Sequence, residues 1–243
     1  MDIENHITSA PFVNDSTPLQ APPNGDTAAT EAPFVINIGR QLGSGGREIG
    51  QWLAREMGIA YYDKEILSLA AEESGFNPEF FERNDERKGF FRSVLGTITP
   101  LISAGGDFYG NSLSDESLFR IQSEAIRSAA RRGSCVFIGR CADYVLRDFP
   151  RCVNVFIVAD PADRLRRICD HEKVTQKVAQ RMMENGDEKR ASFYNFYSAG
   201  TWGAAETYHL CVNSSVLGIE GTAQLIKDFA LRKLSENQKE ATE

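Results

Sequence analysis

The sequence lacks the features that mark membrane and secreted proteins. None of its apolar runs approaches the roughly 18 residues that a membrane-spanning helix requires. The most apolar stretches, at 135–138 and 153–159, have the length of β-strands. The first residues show neither a basic segment nor an apolar one, so a secretory signal is not expected. We therefore expect a cytoplasmic protein with no membrane partner.

Cysteine and histidine, the usual zinc ligands, are also scarce. The 243 residues include five cysteines without a Cys-x-x-Cys spacing and only three histidines, which excludes the usual zinc patterns. We therefore expect no metal site built from protein side chains. The cysteines are expected to be reduced, and Cys135 and Cys211 in particular are expected to be buried in strands.

Positive charge is absent from the beginning of the chain. Residues 1–33 contain no Lys or Arg, hold five acidic residues and five of the nine prolines, and predict a disordered acidic tail. The whole chain carries −7, so residues 34–243 carry only −2. This balance indicates no basic face, and a nucleic-acid partner is not expected. Arginine nevertheless outnumbers lysine 19 to 8, and guanidinium groups suit paired contacts with phosphate oxygens.

From residue 34 onward, short apolar runs alternate with helical patterns. This alternation predicts an α/β fold, with a five-stranded parallel sheet covered by helices on both faces. The strands are expected near 34–39, 58–63, 134–139, 152–159 and 208–213. Helices are expected near 46–57, 64–74, 78–84, 90–103, 114–132, 174–197 and 216–235, with Asp160 as an N-cap and Pro161 in the first turn of a further helix.

Two helical stretches are too long for simple crossovers between neighbouring strands. The first covers about 64–132 and the second about 161–203. We expect a helical insert and a lid over a cleft at the carboxyl ends of the strands. The domain then spans 34–235, followed by a short tail at 236–243.

A glycine-rich segment follows the first strand directly and opens a helix. Gly43, Ser44, Gly45 and Gly46 are expected to bind phosphate through backbone N–H groups at the helix N-terminus. A turn built only for tight packing is one alternative. A short-chain dehydrogenase is another, because the glycine spacing fits and Asp63 lies where a ribose-binding acid would stand. No tyrosine of the sequence has a lysine four residues later, which argues against the dehydrogenase.

The same segment also fits the loop of a phosphate-transferring enzyme. Gly43-Ser44-Gly45 matches the core of the Walker A pattern, in which Lys and Ser or Thr come next. Here those two positions hold Gly46 and Arg47. The usual cation for the β- and γ-phosphates is therefore missing, and Arg47 or Arg40 could supply the charge.

Five segments of the chain resemble the cytidylate kinase-like family, nucleoside-monophosphate kinases of the P-loop superfamily whose turn reads Gly-Ser-Gly-Gly. The resemblance extends over about 34–229 and implies a P-loop NTPase-type sheet with a helical insert that binds the nucleoside monophosphate, and a lid. The segments are 39–50 (GRQLGSGGREIG), 61–64 (YYDK), 137–143 (FIGRCAD), 187–190 (DEKR) and 208–215 (YHLCVNSS).

The resemblance implies a reaction and the residues on its donor side. ATP with Mg²⁺ would donate a phosphoryl group to CMP or dCMP. Residues 43–46 and Arg47 would bind the ATP phosphates, and Arg47 and Arg190 would act as catalytic groups on the transferred phosphoryl group.

On the acceptor side, the resemblance implies substrate-binding roles for Asp63, Arg140, Asp143 and Asp187. The family's Gly-Arg-Asp motif has Cys141 in its third position here, so its acidic role could pass to Asp143. Structural roles remain open for two of these residues, Asp63 as a helix N-cap and Arg140 in an ion pair.

A second hypothesis follows from the missing Walker side chains. The backbone groups that bind phosphate are present, whereas the side chains that usually catalyse transfer are not. The protein could therefore be a sensor that binds a nucleotide or another phosphorylated ligand without turning it over.

Overall fold

The computed structural model describes residues 32–63 and 115–240. Its five strands form one parallel sheet in the order β2-β3-β1-β4-β5, which confirms the predicted fold class. The strands are β1 (Val35–Arg40), β2 (Ala60–Tyr62), β3 (Cys135–Ile138), β4 (Cys152–Val158) and β5 (Leu210–Asn213).

Helices pack on both faces of this sheet. They are α1 (Gly46–Met57), α2 (Asp115–Arg132), α3 (Ala142–Val145), α4 (Pro161–Glu172), α5 (Gln176–Tyr197) and α6 (Ser214–Glu240), with a 3-10 turn at Ala205–Thr207. The helix predicted at 216–235 begins two residues earlier and is interrupted at Gly218, whose φ is 68°. The helices predicted at 64–74, 78–84 and 90–103 lie outside the described residues. None of the described helices has the length and apolar character needed to cross a bilayer.

The core consists of two layers, one on each face of the sheet. Along β1, Ile36 and Ile38 face α1 and α6, whereas Val35 faces α2 and α3. This alternation follows from the period of two in a strand, and burial on both faces explains why β3 reads as a continuous apolar run. Each such fully buried side chain stabilises the fold by about 1.5–3 kcal/mol relative to an exposed one.

One sequence expectation was wrong, and another is confirmed in position only. Cys211 is exposed, because β5 is an edge strand whose Leu210 and Val212 face the core and leave Cys211 on the other face. Asp160 occupies the N-cap position of α4, but its side chain makes no capping bond and instead accepts a hydrogen bond from Asn213 Nδ2 at 2.8 Å. All five cysteines are free thiols, and Cys135 is buried as predicted.

The register of the sheet positions the functional site. β1 lies between β3 and β4, and β3 also pairs with β2, with Ile38 beside Ile138 and Tyr62 beside Phe137. The segments that follow β1, β2 and β3 therefore leave the sheet at the same edge. This edge holds the glycine-rich loop, Asp63 and the segment that begins at Gly139.

Candidate functional site

The loop between β1 and α1 is built around glycines in left-handed conformations. Gly43 has a φ of 78° and Gly45 has a φ of 79°, a region that side chains disfavour. A Cβ on Gly43 would lie 2.6 Å from the backbone oxygen of Arg164, and one on Gly45 would lie 2.1 Å from Cδ1 of Ile219. Both positions therefore favour glycine for conformation, and at Gly43 the backbone of Arg164 also leaves no room for a side chain. Gly45 also stands at the N-cap of α1, so the loop opens directly onto a helix N-terminus.

Two helices hold the backbone of this loop. Arg164 of α4 donates from Nε to the carbonyl oxygen of Leu42 at 2.7 Å and pairs with Asp187 of α5. Asp187 in turn accepts a 2.7 Å hydrogen bond from the amide of Leu42. Arg167 donates to the carbonyl oxygen of Gly43 at 3.2 Å. Asp187 thus holds the loop, a contact that its position in the predicted lid did not reveal.

The hydroxyl of Ser44 is used inside the loop. It donates to the carbonyl oxygen of Gln41 at 2.9 Å, while the carbonyl oxygen of Ser44 accepts a 2.7 Å hydrogen bond from Ser214 Oγ. Both serines are fully buried. In the sequence, Ser214 belonged only to the family-like segment 208–215 and had no predicted role. The Ser44 hydroxyl and carbonyl oxygen are thus both engaged in hydrogen bonds within the protein.

Three arginines bring positive charge to the loop. Arg47 Nε lies 3.4 Å from Oδ2 of the buried Asp63, and Arg190 NH1 lies 3.6 Å from Oδ1 of Asp187. Burial and the neighbouring guanidinium of Arg190 lower the pKa of Arg40 to about 9. Burial likewise lowers the pKa of Arg190, with Arg164 and Arg47 adding to the effect and Asp187 opposing it. The three guanidinium groups repel one another, which is favourable for binding an anion between them.

The segment after β3 is unusual in its backbone. Gly139, Arg140 and Cys141 have φ values of 70°, 60° and 55°, three consecutive residues in the left-handed region. Non-glycine residues there carry strain, which clusters at functional sites. The Arg140 guanidinium lies 5.4 Å from the ring centroid of Phe193 in α5, and burial lowers its pKa. The anticipated alternative, an ion pair of Arg140, is not present among the described residues.

Asp143 occupies a different environment. Its Oδ2 accepts a 2.7 Å hydrogen bond from the hydroxyl of Tyr194. Burial raises the pKa of Asp143, and this hydrogen bond opposes the rise. Nearby, Phe193 and Tyr197 of α5 form an aromatic cluster with Phe119 of α2, whose ring lies 4.0 Å from that of Tyr197. This cluster packs the described part of the predicted insert against the predicted lid.

The predicted site residues therefore fall into two groups. The first surrounds the loop and contains the glycine-rich turn with Arg47, Asp63, Asp187 and Arg190. The second lies between the segment after β3 and α5 and contains Arg140 and Asp143. Within the two described ranges, no group of three or more His, Cys, Asp or Glu side chains is arranged to hold a metal ion. The charge and the backbone of the first group suit a phosphate.

Comparison with known proteins gives the same picture of the fold. The model of the cytidylate kinase-like family matches residues 35–216. A search of curated proteins found no match. An uncharacterized protein from Eubacterium ventriosum is similar, with 26% identity, a TM-score of 0.62, and coverage of 81% of this chain and 98% of that chain.

Two kinases also match more distantly. A gluconokinase from Sinorhizobium meliloti shows 14% identity and a TM-score of 0.48 over 88% of this chain and 100% of that chain. A shikimate kinase from Bacteroides thetaiotaomicron shows 15% identity and a TM-score of 0.42 over 86% of this chain and 99% of that chain.

Proposed function

The chain belongs to the cytidylate kinase-like family, and we propose that it transfers the γ-phosphoryl group of ATP to CMP or dCMP. One observation carries this proposal: the side chains of Arg40, Arg47 and Arg190 lie beside a glycine-rich loop at a helix N-terminus. Phosphoryl transfer needs little chemistry from the protein beyond positioning and charge stabilisation, which such a group supplies.

The donor side would be held mainly by the backbone. Amides of residues 43–46 at the start of α1 would bind the ATP phosphates, and Arg47 would add positive charge from the first turn. Arg47 stands in the place of the usual Ser or Thr, and the Ser44 hydroxyl is engaged within the loop. Magnesium would therefore arrive bound to the nucleotide, held by its phosphates and by water.

The acceptor would lie across the cleft. Asp63 follows β2 and Arg140 follows β3, and both segments leave the sheet at the same edge as the loop. Arg140 would contact the acceptor phosphate, and Phe193 beneath its guanidinium would hold that side chain in place. Asp63, Asp143 and Asp187 complete the proposed acceptor side, with Asp187 acting through Arg190, Arg164 and the loop.

The transfer itself requires no covalent enzyme intermediate. An oxygen of the acceptor phosphate attacks the γ-phosphorus in line, the bond to the bridging oxygen breaks, and ADP leaves with its charge. Arg190 and Arg47 would stabilise the negative charge on the equatorial oxygens during this step. The products are ADP and CDP or dCDP.

The test is an assay of ADP formation with the full chain, ATP and Mg²⁺. Acceptors would include CMP, dCMP, UMP and AMP, with the diphosphate product identified by chromatography. We expect transfer to a cytidine monophosphate and a loss of at least about 100-fold in Arg190→Ala, as for other arginines that contact the transferring group. Arg166→Ala is the matched control, because Arg166 is mostly exposed and pairs with Asp163 on α4. An Arg190→Ala variant as active as Arg166→Ala would contradict the assigned role.

The second candidate function is a nucleotide sensor. One observation favours it: the loop has Gly46 where lysine is usual, and its one hydroxyl, on Ser44, donates to the loop itself. Tight binding of ATP without ADP formation for any acceptor would support the sensor and overturn the kinase. Binding of NAD or NADP alone would exclude both.

A further inference from the structure

Two positions of the glycine-rich loop have exchanged their usual residues. When Gly45 and Gly46 are set on the Gly-Lys pair of the pattern Gly-x4-Gly-Lys, Arg40 falls on the first glycine. A cation therefore stands where the pattern has a glycine, and a glycine stands where it has a cation. We infer that the two changes are linked, with Gly46 leaving the space that the Arg40 side chain occupies.

The packing of Arg40 supports this exchange. A Cβ added to Gly46 would lie 2.8 Å from both Cβ and Cγ of Arg40, so the arginine stem lies directly on Gly46. A Cβ added to Gly139 would lie 2.1 Å from NH1 of Arg40. The side chain thus runs from the end of β1 across α1's first residue to the segment after β3. A Cβ at Gly46 or Gly139 would overlap the Arg40 side chain in this position.

The charge around Arg40 indicates an anion. Burial lowers the pKa of Arg40, the guanidinium groups of Arg190 and Arg47 lower it further, and Tyr61 and Asp63 oppose this shift. Among the described residues, the Arg40 guanidinium makes no hydrogen bond or salt bridge. Its pKa of about 9 keeps it charged at neutral pH. A half-buried cation beside two others is stabilised when an anion neutralises them.

We propose that Arg40 is the phosphate-binding cation of this loop, reaching across Gly46 to the phosphoryl group between donor and acceptor. This inference rests on the proposed function, because it names the residue that takes the place of the absent lysine. Its guanidinium would bind two oxygens of one phosphate with its planar fork, whereas a lysine binds as a point charge. Gly46 is then required for the position of the Arg40 stem.

The test uses Arg40→Met, Arg40→Gly, Gly46→Lys and the double variant Arg40→Gly/Gly46→Lys. Arg40→Met keeps an unbranched stem on Gly46 and removes only the charge. Affinity for ATP and for inorganic tripolyphosphate would be measured by calorimetry, and transfer by ADP formation. We expect each single variant to lose at least about tenfold in affinity and about 100-fold in transfer.

The double variant distinguishes this proposal from a general disturbance of the loop. Removing Arg40 opens the space that a side chain at 46 needs, so the double variant should recover at least about tenfold in tripolyphosphate affinity over either single variant. Arg40→Met with unchanged affinity, or a double variant no better than the single ones, would overturn the proposal. Thermal unfolding of each variant identifies loss of folding, and Arg40→Met alone decides the outcome if the glycine variants unfold.

The two proposals fail in different ways. If the unmodified chain binds ATP but transfers phosphate to no acceptor, the kinase proposal fails, and the tripolyphosphate affinities still decide the role of Arg40. If the chain transfers phosphate and Arg40→Met does so equally well, only the Arg40 proposal fails. A chain that binds neither ATP nor tripolyphosphate overturns both.

Discussion

The amide of Leu42 donates a 2.7 Å hydrogen bond to Oδ1 of Asp187, which joins the loop after β1 to the middle of α5. The same carboxylate pairs with Arg164, whose Nε donates to the carbonyl oxygen of Leu42. Gly186 permits the close approach, since a Cβ there would lie 2.8 Å from Cδ2 of Leu42. These contacts therefore join the glycine-rich loop directly to the helix that carries Arg190.

Asp187→Asn should destabilise the protein. The Arg164 side chain is 8% exposed, so loss of its carboxylate leaves a buried charge without compensation. Removing one partner of a buried pair costs about 3–5 kcal/mol, and the partly exposed Asp187 places the expected loss at the lower end. Urea unfolding measures it. The control is Glu124→Gln, which removes a partly exposed i,i+3 pair with Arg127 and should cost less than about 1 kcal/mol. Equal losses in both variants would contradict the role of Asp187.

Gly43→Ala should disrupt the loop more than Gly58→Ala. Both glycines have positive φ, at 78° and 62°, so alanine costs about 1–2 kcal/mol in conformation at either position. Only at Gly43 would the new Cβ also lie 2.6 Å from the backbone oxygen of Arg164, whereas nothing lies within 4 Å at Gly58. We expect Gly43→Ala to lose ATP affinity and Gly58→Ala to keep it, as measured by calorimetry. Unchanged affinity in Gly43→Ala would show that the loop does not bind the nucleotide.

Asp143→Asn should change how stability depends on pH. Burial raises the pKa of Asp143 above its ordinary 3.8, so the folded state binds a proton more tightly than the unfolded state. This group stabilises the fold fully below pH 3.8 and loses that contribution as the pH rises through its raised pKa. The variant should therefore gain stability relative to the natural chain as the pH rises toward neutral.

The measurement is urea unfolding of both proteins from mildly acidic to neutral pH. The asparagine oxygen can still accept the hydrogen bond from Tyr194, which keeps the comparison close to a pure change of charge. Asp148→Asn, at an exposed carboxylate, should leave the pH profile unchanged. A difference between Asp143→Asn and the natural chain that stays constant with pH would argue against a raised pKa.

The thiols should react with a maleimide in the order of their exposure. Cys211 is exposed, whereas Cys135, Cys141 and Cys152 are buried. Burial raises the pKa of Cys141 and Cys152 to about 12, so little reactive thiolate forms there at neutral pH. Mass spectrometry should find early modification at Cys211 and modification of the three buried thiols only after unfolding. Early labelling at Cys152 in the folded chain would contradict this order, and Cys211→Ser should remove the early product.

The strands and helices were largely predictable because their signals are local. A glycine-rich turn between an apolar run and an amphipathic stretch marked β1 and α1, and α1 spans Gly46–Met57 as predicted. Predominantly apolar runs identified β3 and β4 as strands covered on both faces. Cys211 was wrongly predicted to be buried. The sequence of a strand does not reveal whether the strand lies at the edge of the sheet or which of its faces is covered.

By itself, the sequence determined the class of fold and the position of the glycine-rich loop, since both depend on residues a few positions apart. Only the tertiary structure decided which side chains contact that loop. Ser214 binds the carbonyl oxygen of Ser44 across 170 positions, and Asp187 binds Leu42 across 145. Local patterns carry no information about such contacts, because parallel strands and their crossovers bring distant segments to one edge. The packing of the Arg40 side chain on Gly46 is likewise a tertiary contact that the sequence did not predict.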